Sequence, residues 1–590
     1  MMAAWWWLRA KEAEPSAPPD AESPWVRTPE ALDDGERAAV LERAVRVLGM
    51  DRPGYGGAWW AWDGGWNRDP TSGRSFPLVR GDRVRYRGDG VGDIRALWEV
   101  QRHHHLVWLA QGWALTGQAR FREALGDELD AFLGDCPFPR GPAWTSALEV
   151  GVRLANWAVA WQLAGDALPT ELRARWCGTA RAALGLVRAN LSTGSSGNNH
   201  LVGELGGLVA GGSVWDPTRV GRDIDTLGEE LLRQIAPDGS SREGSPGYLG
   251  FVVSWGLLAG AAAASRRSSF PWAAWERLAA AVGYLRGMTV GGRVSRLGDW
   301  DDGCVVPLAA ARPTPAEVGR LAGALLGEGA HPGAGWLGAS VPEVAVPSAR
   351  AEYEDAGHVW LGDRAGLRVL VQAGSIGEGV FGGHAHADVG SILVWWEGEP
   401  LLVDRGTGSY LAEPRWRAWF RGTAAHNTLT VDERSSARPD GAFLWRRVPA
   451  VEREVVRDGG AVTAVVVRHD GFGRKGTPVW HERRVAVEGS RLVVEDTVRC
   501  EESHDVALHW HLPPKRHVAV GGAMATVQTA RGAARFEAEG ELEVVEGGEA
   551  QGLGWHSPVF GRWEPAPTIR QRLRIDGTTT VRTVLVASDA

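Results

Sequence analysis

The chain of 590 residues is 44% hydrophobic and 23% charged, an ordinary globular composition at a length where single cores stop growing, so two or more domains are expected. Its 64 basic and 72 acidic residues give a formal charge of −8, which excludes a global positive field for nucleic acid and leaves attraction to any acidic ligand to local groups. Four widely spaced cysteines, Cys136, Cys177, Cys304 and Cys500, form neither a CxxC pair nor a disulfide framework.

In chain order, residues 1–8 are apolar but lack a preceding basic stretch and run into Arg9 and Lys11. That matches a signal peptide poorly, so the expected location is cytoplasmic, with secretion by another route left open. Residues 1–35 read as an N-terminal extension. From 36 to 327 apolar residues recur at helical spacing in blocks at 94–116, 119–133, 145–165, 169–190, 219–236, 247–265 and 271–288. Pro137, Pro169 and Pro217 fall in the turns between blocks, so neighbouring helices should run antiparallel, as in a helical toroid or solenoid. The nearly apolar run 251–265 is shorter than the ~20 residues needed to span a bilayer and reads as a buried helix, with no membrane partner expected.

Residues 328–350, rich in Gly, Ala, Pro and Ser, read as the linker. Residues 351–590 carry short β-branched alternations at 447–456, 461–468, 483–487, 491–498, 506–511 and 570–575, the pattern of an antiparallel β-sandwich. The aromatic balance is 31 Trp to 6 Tyr. Core filling accounts for most of the tryptophans, a few could stack on sugar rings, and the scarce Tyr248 and Tyr410 each stand inside a motif.

Four segments could carry chemistry. In Gly197-Asn198-Asn199-His200-Leu201-Val202-Gly203-Glu204, amides and an imidazole meet a helix start; capping by Asn198 or Asn199 is the plain alternative. Arg242-Glu243-Gly244-Ser245-Pro246-Gly247-Tyr248 delivers a tyrosine at the start of the next helix, or forms a capping turn. Gly298-Asp299-Trp300-Asp301-Asp302-Gly303 gathers three carboxylates, for which solvation or helix capping is the first expectation, ahead of a cation site or a catalytic carboxylate pair. Gly382-Gly383-His384-Ala385-His386-Ala387-Asp388, followed by Asp404 and by His426-Asn427, offers two imidazoles and a carboxylate suited to zinc or a similar divalent ion, although the spacing alone does not bring them together.

Taken in order, NNHLVGE, REGSPGY, GDWDDG, GHAHAD, LLVDRGTGSY and RWRAWFRGTAAHNTLTVD resemble the heparinase II/III family of polysaccharide lyases, including its alginate-lyase relatives, over roughly residues 90–440. Residues 93–102 and the stretch with Trp144, Glu149 and Arg153 look like that family's helical domain. The resemblance implies an incomplete (α/α) toroid followed by an antiparallel β-sandwich. It implies β-elimination on a uronic-acid glycan, giving 4,5-unsaturated ends.

It further implies that Asn199 and His200 neutralise the uronate carboxylate, that Tyr248 and His384 form the acid–base set, and that His386, Asp404 and His426 hold a structural divalent metal, zinc by its donor set. Glu204, Arg102, Glu149, Arg153, Tyr410, Arg417 and Arg421 become candidates for substrate binding. The expected partner is an acidic polysaccharide or oligosaccharide, a glycosaminoglycan such as hyaluronan, chondroitin or heparan sulfate first, with a homo-oligomer left open. Three alternatives stand beside it: an alginate or oligoalginate lyase, a glycoside hydrolase using Glu243 with Asp299 or Asp301, and a non-catalytic glycan-binding protein.

Overall fold

The computed structural model of the protein describes residues 7, 10–19, 24–30, 32–86, 92–194, 196–308, 314–338, 340–363, 366–377, 382–473, 477–548 and 552–589. The apolar run at 1–8 lies outside them except for Trp7. The chain divides into two compact units, one of residues 1–235, 249–283 and 302–347, the other of residues 236–248, 284–301 and 348–590.

The first unit is helical. Its main helices are Asp34–Leu48, Ile94–Gln101, His104–Thr116, Ala119–Asp135, Ala147–Ala164, Thr170–Ala189, Asn199–Trp215 and Val220–Gln234. The block read as one helix over 94–116 is two, because His103 adopts a left-handed backbone (φ 64°) between them. Its buried ring packs edge-on against Phe132 and accepts a 2.7 Å hydrogen bond from Trp157 Nε1, contacts that hold a conformation which side chains seldom adopt. Tryptophan here is mainly core: Trp144, Trp157, Trp176 and Trp255 are all fully buried. Helices Ala147–Ala164 and Asn199–Trp215 meet backbone to backbone, since a Cβ on Gly207 would lie 2.4 Å from Gly151 Cα and one on Gly151 2.8 Å from Gly203 O. The helix Pro246–Ser265 is long and apolar enough to cross a membrane, yet most of it is buried within the chain.

The second unit is built of antiparallel sheets. Among the described residues one sheet runs Glu352–Tyr353, His358–Gly362, Leu367–Gln372, Ile392–Trp396, Glu399–Leu402 in spatial order. An eight-stranded sheet runs Val451–Asp458, Ala461–His469, Trp480–Glu488, Arg491–Arg499, Thr579–Asp589, Gly532–Ala538, Met524–Gln528, Val518–Gly521. A four-stranded sheet runs Leu429–Val431, Ser503–His511, Thr568–Asp576, Leu542–Val545. Inward-facing residues from all three, among them Val369, Val394, Leu429, Val465, Val494, Leu508 and Ile569, share one apolar core. Every residue of Leu367–Gln372 and Ile392–Trp396 is buried, so these strands show no alternation, whereas Trp480–Glu488 and Arg491–Arg499 are buried mainly on one face. All four cysteines are free thiols.

Candidate active site and metal cluster

The second unit assembles a compact polar cluster around Asp299, which has no exposed surface. Its Oδ2 pairs with His384 Nδ1 at 2.9 Å and its Oδ1 with His386 Nε2 at 2.9 Å. Arg417 grips both carboxylate oxygens, NH2 at 2.8 Å from Oδ2 and NH1 in close contact with Oδ1. Burial by itself would raise the Asp299 pKa, but the Arg417 guanidinium and the two histidine bonds hold it well below the usual carboxylate range. The carboxylate is therefore an anchor for two imidazoles rather than a proton donor. The expectation that this acidic loop is solvated fails for Asp299.

Local chain geometry sets that anchor. Gly298 has φ 62°, and a Cβ there would fall 2.5 Å from His384 O, so only glycine lets the loop approach closely enough for Asp299 N to donate to His384 O at 2.8 Å. Ser245 Oγ donates to Asp299 O at 2.5 Å and accepts from Tyr248 N at 3.2 Å, tying the tyrosine's turn to the same loop.

Tyr248 lies flat on His384, ring centroids 3.6 Å apart and planes 17° from parallel. Its hydroxyl donates to Asp301 Oδ2 at 2.8 Å and stands 2.8 Å from the Tyr410 hydroxyl. With Tyr248 donating to Asp301, Tyr410 is the donor within the phenol pair. Glu243 Oε2 is 3.7 Å from His384 Nε2. The structure thus groups Tyr248, His384, Tyr410 and Arg417 from the residues expected for a lyase, together with Asp299, Asp301 and Glu243, the carboxylates named for the hydrolase alternative. Arg417 reaches Asp299 and packs against the Tyr410 ring at 5.0 Å. Arg421 points instead to the carbonyls of Gly441 and Ala442 and stacks on Trp445 at 3.9 Å.

His386, Asp404 and His426 are all buried, with potential ligand atoms within 4.8 Å of one another. His426 Nδ1 is 2.8 Å from Asp404 Oδ2, and Asp404 Oδ1 accepts from Gly406 N at 2.7 Å. His386 Nδ1 and His426 Nε2 are buried without hydrogen-bond partners among the described residues. Two orphaned imidazole nitrogens beside a carboxylate fit a divalent cation.

The remaining predicted residues lie in the helical unit. Asn198 caps the helix Asn199–Trp215, its side chain accepting from His200 N at 3.2 Å, and Asn199 is buried at the first helical position. Glu204 receives Ser192 N and Ser192 Oγ, both at 2.6 Å, and so ties down the loop that leads into Asn198. Arg102 and Glu149 form a buried two-pronged pair at 2.7 and 2.9 Å, and Arg153 donates to Gln101 O and Ala143 O between the rings of Phe132 and Trp144. These three side chains make internal contacts.

Glu204 offers a test of its own. Burial raises its pKa from 4.5 to about 7, opposed by the two Ser192 bonds. Between those values the unfolded chain gives up its proton before the folded one does. Stability should therefore fall as pH rises from about 4.5 to 7 and stay reduced above that. Glu204→Gln is expected to remove this slope and to gain on the order of 2 to 3 kcal/mol at pH 8, read from denaturant unfolding of both proteins across pH 4–8. An unchanged slope would show that Glu204 is not the group responsible.

Residues 345–584 match the family described as heparinase II/III-like, C-terminal. An alginate lyase of Stenotrophomonas maltophilia (strain K279a) is 37% identical over 92 residues, a match that covers 12% of this chain and only 12% of that protein. Over the whole chain the fold is similar to a crystal structure of heparinase III, with TM-score 0.68, 14% identity and 89% of that chain covered. It is also similar to heparan sulfate lyase HepC from Pedobacter heparinus, with TM-score 0.58, 15% identity and 88% of that chain covered. The fold is accordingly an (α/α) toroid followed by an antiparallel β-sandwich. Residues 345–584 thus carry the match to the heparinase II/III-like C-terminal family, on a chain whose fold is similar throughout to that of heparinase III.

Proposed function

We propose that the protein is a polysaccharide lyase that cleaves uronic-acid glycans by β-elimination. The observation that carries the reading is the stacked Tyr248–His384 pair, with the phenol bonded to Asp301 and Tyr410 and the imidazole held by Asp299. The similar solved structures are a heparinase III and a heparan sulfate lyase, and the relative matched over 92 residues is an alginate lyase. Among acidic glycans, a glycosaminoglycan is the substrate class proposed.

Elimination needs a base for the C5 proton and an acid for the departing O4 oxygen. When Asp299 accepts the Nδ1 proton of His384, Nε2 is left as the basic nitrogen, the tautomer that proton abstraction requires. The Tyr248 hydroxyl is the acid: it loses its proton to O4 as the C4–O4 bond breaks, and Tyr410, its hydroxyl 2.8 Å away, can replace that proton. Asn199 and His200 are proposed to offset the charge that builds on the uronate carboxylate as C5 is deprotonated. Incubation with hyaluronan, chondroitin, heparan sulfate and alginate should release products with the ultraviolet absorbance of a C4=C5 double bond. Saturated products would select a hydrolase, and binding without products a glycan-binding protein.

The cation proposed for His386, Asp404 and His426 is zinc, from the borderline N/O donor set. Its role is structural: when bound it fixes the segment that carries His384 two residues before His386. Chelation with EDTA should lower the thermal unfolding midpoint by several degrees and added zinc should restore it. A midpoint indifferent to both treatments would remove the metal.

A further inference from the structure

The three proposed metal ligands sit on three separate segments, each beside a strand of the second unit: His386 ahead of Ile392–Trp396, Asp404 behind Glu399–Leu402 and His426 ahead of Leu429–Val431. The segments meet directly through the pairing of Val394 with Leu402, the His426–Asp404 bond and Ala387 N donating to Arg421 O at 2.9 Å. Two buried side chains, Arg483 from another strand and Asn427 beside His426, tie all three together. Arg483, on Trp480–Glu488, has no exposed surface, and its NH1 donates to Gly390 O at 3.0 Å and to Asn427 O at 2.6 Å. That one nitrogen therefore joins the His386 segment to the residue next to His426. Asn427 continues the chain of contacts, with Nδ2 donating to Ile392 O at 2.8 Å and to Val403 O, adjacent to Asp404, at 3.0 Å. Its Oδ1 accepts from His511 N at 2.6 Å, so the whole amide is used.

Arg483 is itself held. Asp496 stands directly opposite it in the strand register and receives Nε at 2.7 Å and NH2 at 3.0 Å, while His481 Nε2 lies 2.7 Å from the same carboxylate. Asp496 stays ionised, its pKa pulled down to about 2 against the effect of burial by Arg483 and His481. Burying such a pair costs desolvation that its own attraction only partly repays. The two carbonyls on NH1 are a reason for the arginine to be there.

We infer that Arg483 and Asn427 are positioning residues for the metal centre, a clamp that sets the spacing of the His386, Asp404 and His426 segments, with Asp496 orienting the guanidinium. The inference rests on the metal reading above. It differs from a general packing role because it predicts which property fails first: metal affinity and ligand geometry, ahead of the fold.

The test uses the full chain stripped with EDTA and reloaded with Zn2+ or Co2+ alone. Arg483→Met/Asp496→Asn removes the pair together and avoids a lone buried charge, and Asn427→Ala leaves the pair intact. Each is expected to weaken zinc at least tenfold in a chelator competition and to shift the visible bands of the cobalt form, with far-ultraviolet circular dichroism unchanged. Folded variants with wild-type affinity and cobalt spectrum would overturn the clamp. In the wild type, where no variant has to fold, zinc should slow amide hydrogen exchange several-fold in the peptide carrying His511, whose N–H ends on Asn427. Unaltered exchange there, in protein shown to have bound zinc, would also overturn it. A wild type that binds no zinc would overturn the metal reading and the clamp with it.

Discussion

Replacing Asp299 by alanine is expected to destabilise the protein by about 3 to 5 kcal/mol and to abolish turnover, the largest effect of any single substitution considered. Arg417 is 2% exposed and would be left as an uncompensated buried charge, while His384 and His386 would lose the acceptor they share. The two consequences can be separated. In Asp299→Ala/Arg417→Met the buried charge is gone, so much of the stability should return, but the imidazoles remain unheld and activity should not. Denaturant unfolding together with the ultraviolet product assay reads both. An active, stable Asp299→Ala would show that the carboxylate is dispensable to histidine placement.

The second large effect is expected at Tyr248. Phenylalanine preserves the ring that stacks on His384 at 3.6 Å and removes only the hydroxyl that meets Asp301 and Tyr410. Loss of a positioned proton donor lowers kcat by about 100-fold to 10000-fold, with KM changed far less because the ring contact survives. The same substitution at Tyr410 should cost less, since Tyr248 would still hold its own proton against Asp301. Equal losses at both positions would mean that the phenols act as one unit. A fully active Tyr248→Phe would remove the assigned acid.

Much of the fold was legible because its periodicity is local. The strand segments from 447 onward could be read from alternation, which arises where one face of a strand is buried and the other wet, as along Trp480–Glu488. Leu367–Gln372 and Ile392–Trp396 escaped that reading because both of their faces are covered. The break at His103 was invisible for a different reason: nothing in a His-His-His run announces a left-handed residue, and Trp157, its bonding partner, is 54 residues away.

The site divides in the same way. The motifs led to His384 and Tyr248 through a resemblance to known proteins, but a loop of Asp299, Asp301 and Asp302 between glycines has the local signature of solvated charge. What makes Asp299 a buried anchor is its partners, 85, 87 and 118 residues further along the chain. Arg483 and Asp496 carry no motif at all, and they look like ordinary alternating charges until the strand register sets them opposite each other.

The backbone contact between Gly151, Gly203 and Gly207 bears on how mutational scans of this protein should be interpreted. A methyl added at Gly207 would meet main chain, which no rotamer change can relieve, so a scan should score that position as intolerant to every replacement. Gly203 lies inside the NNHLVGE segment and Gly207 one helical turn beyond it. The two kinds of constraint would merge into one unbroken stretch of intolerance, half of it steric. Sensitivity to substitution along this helix is therefore a poor guide to where the chemistry ends. Protein abundance measured beside activity would separate the two, with the glycine variants losing the protein itself and an Asn199 or His200 variant losing turnover alone.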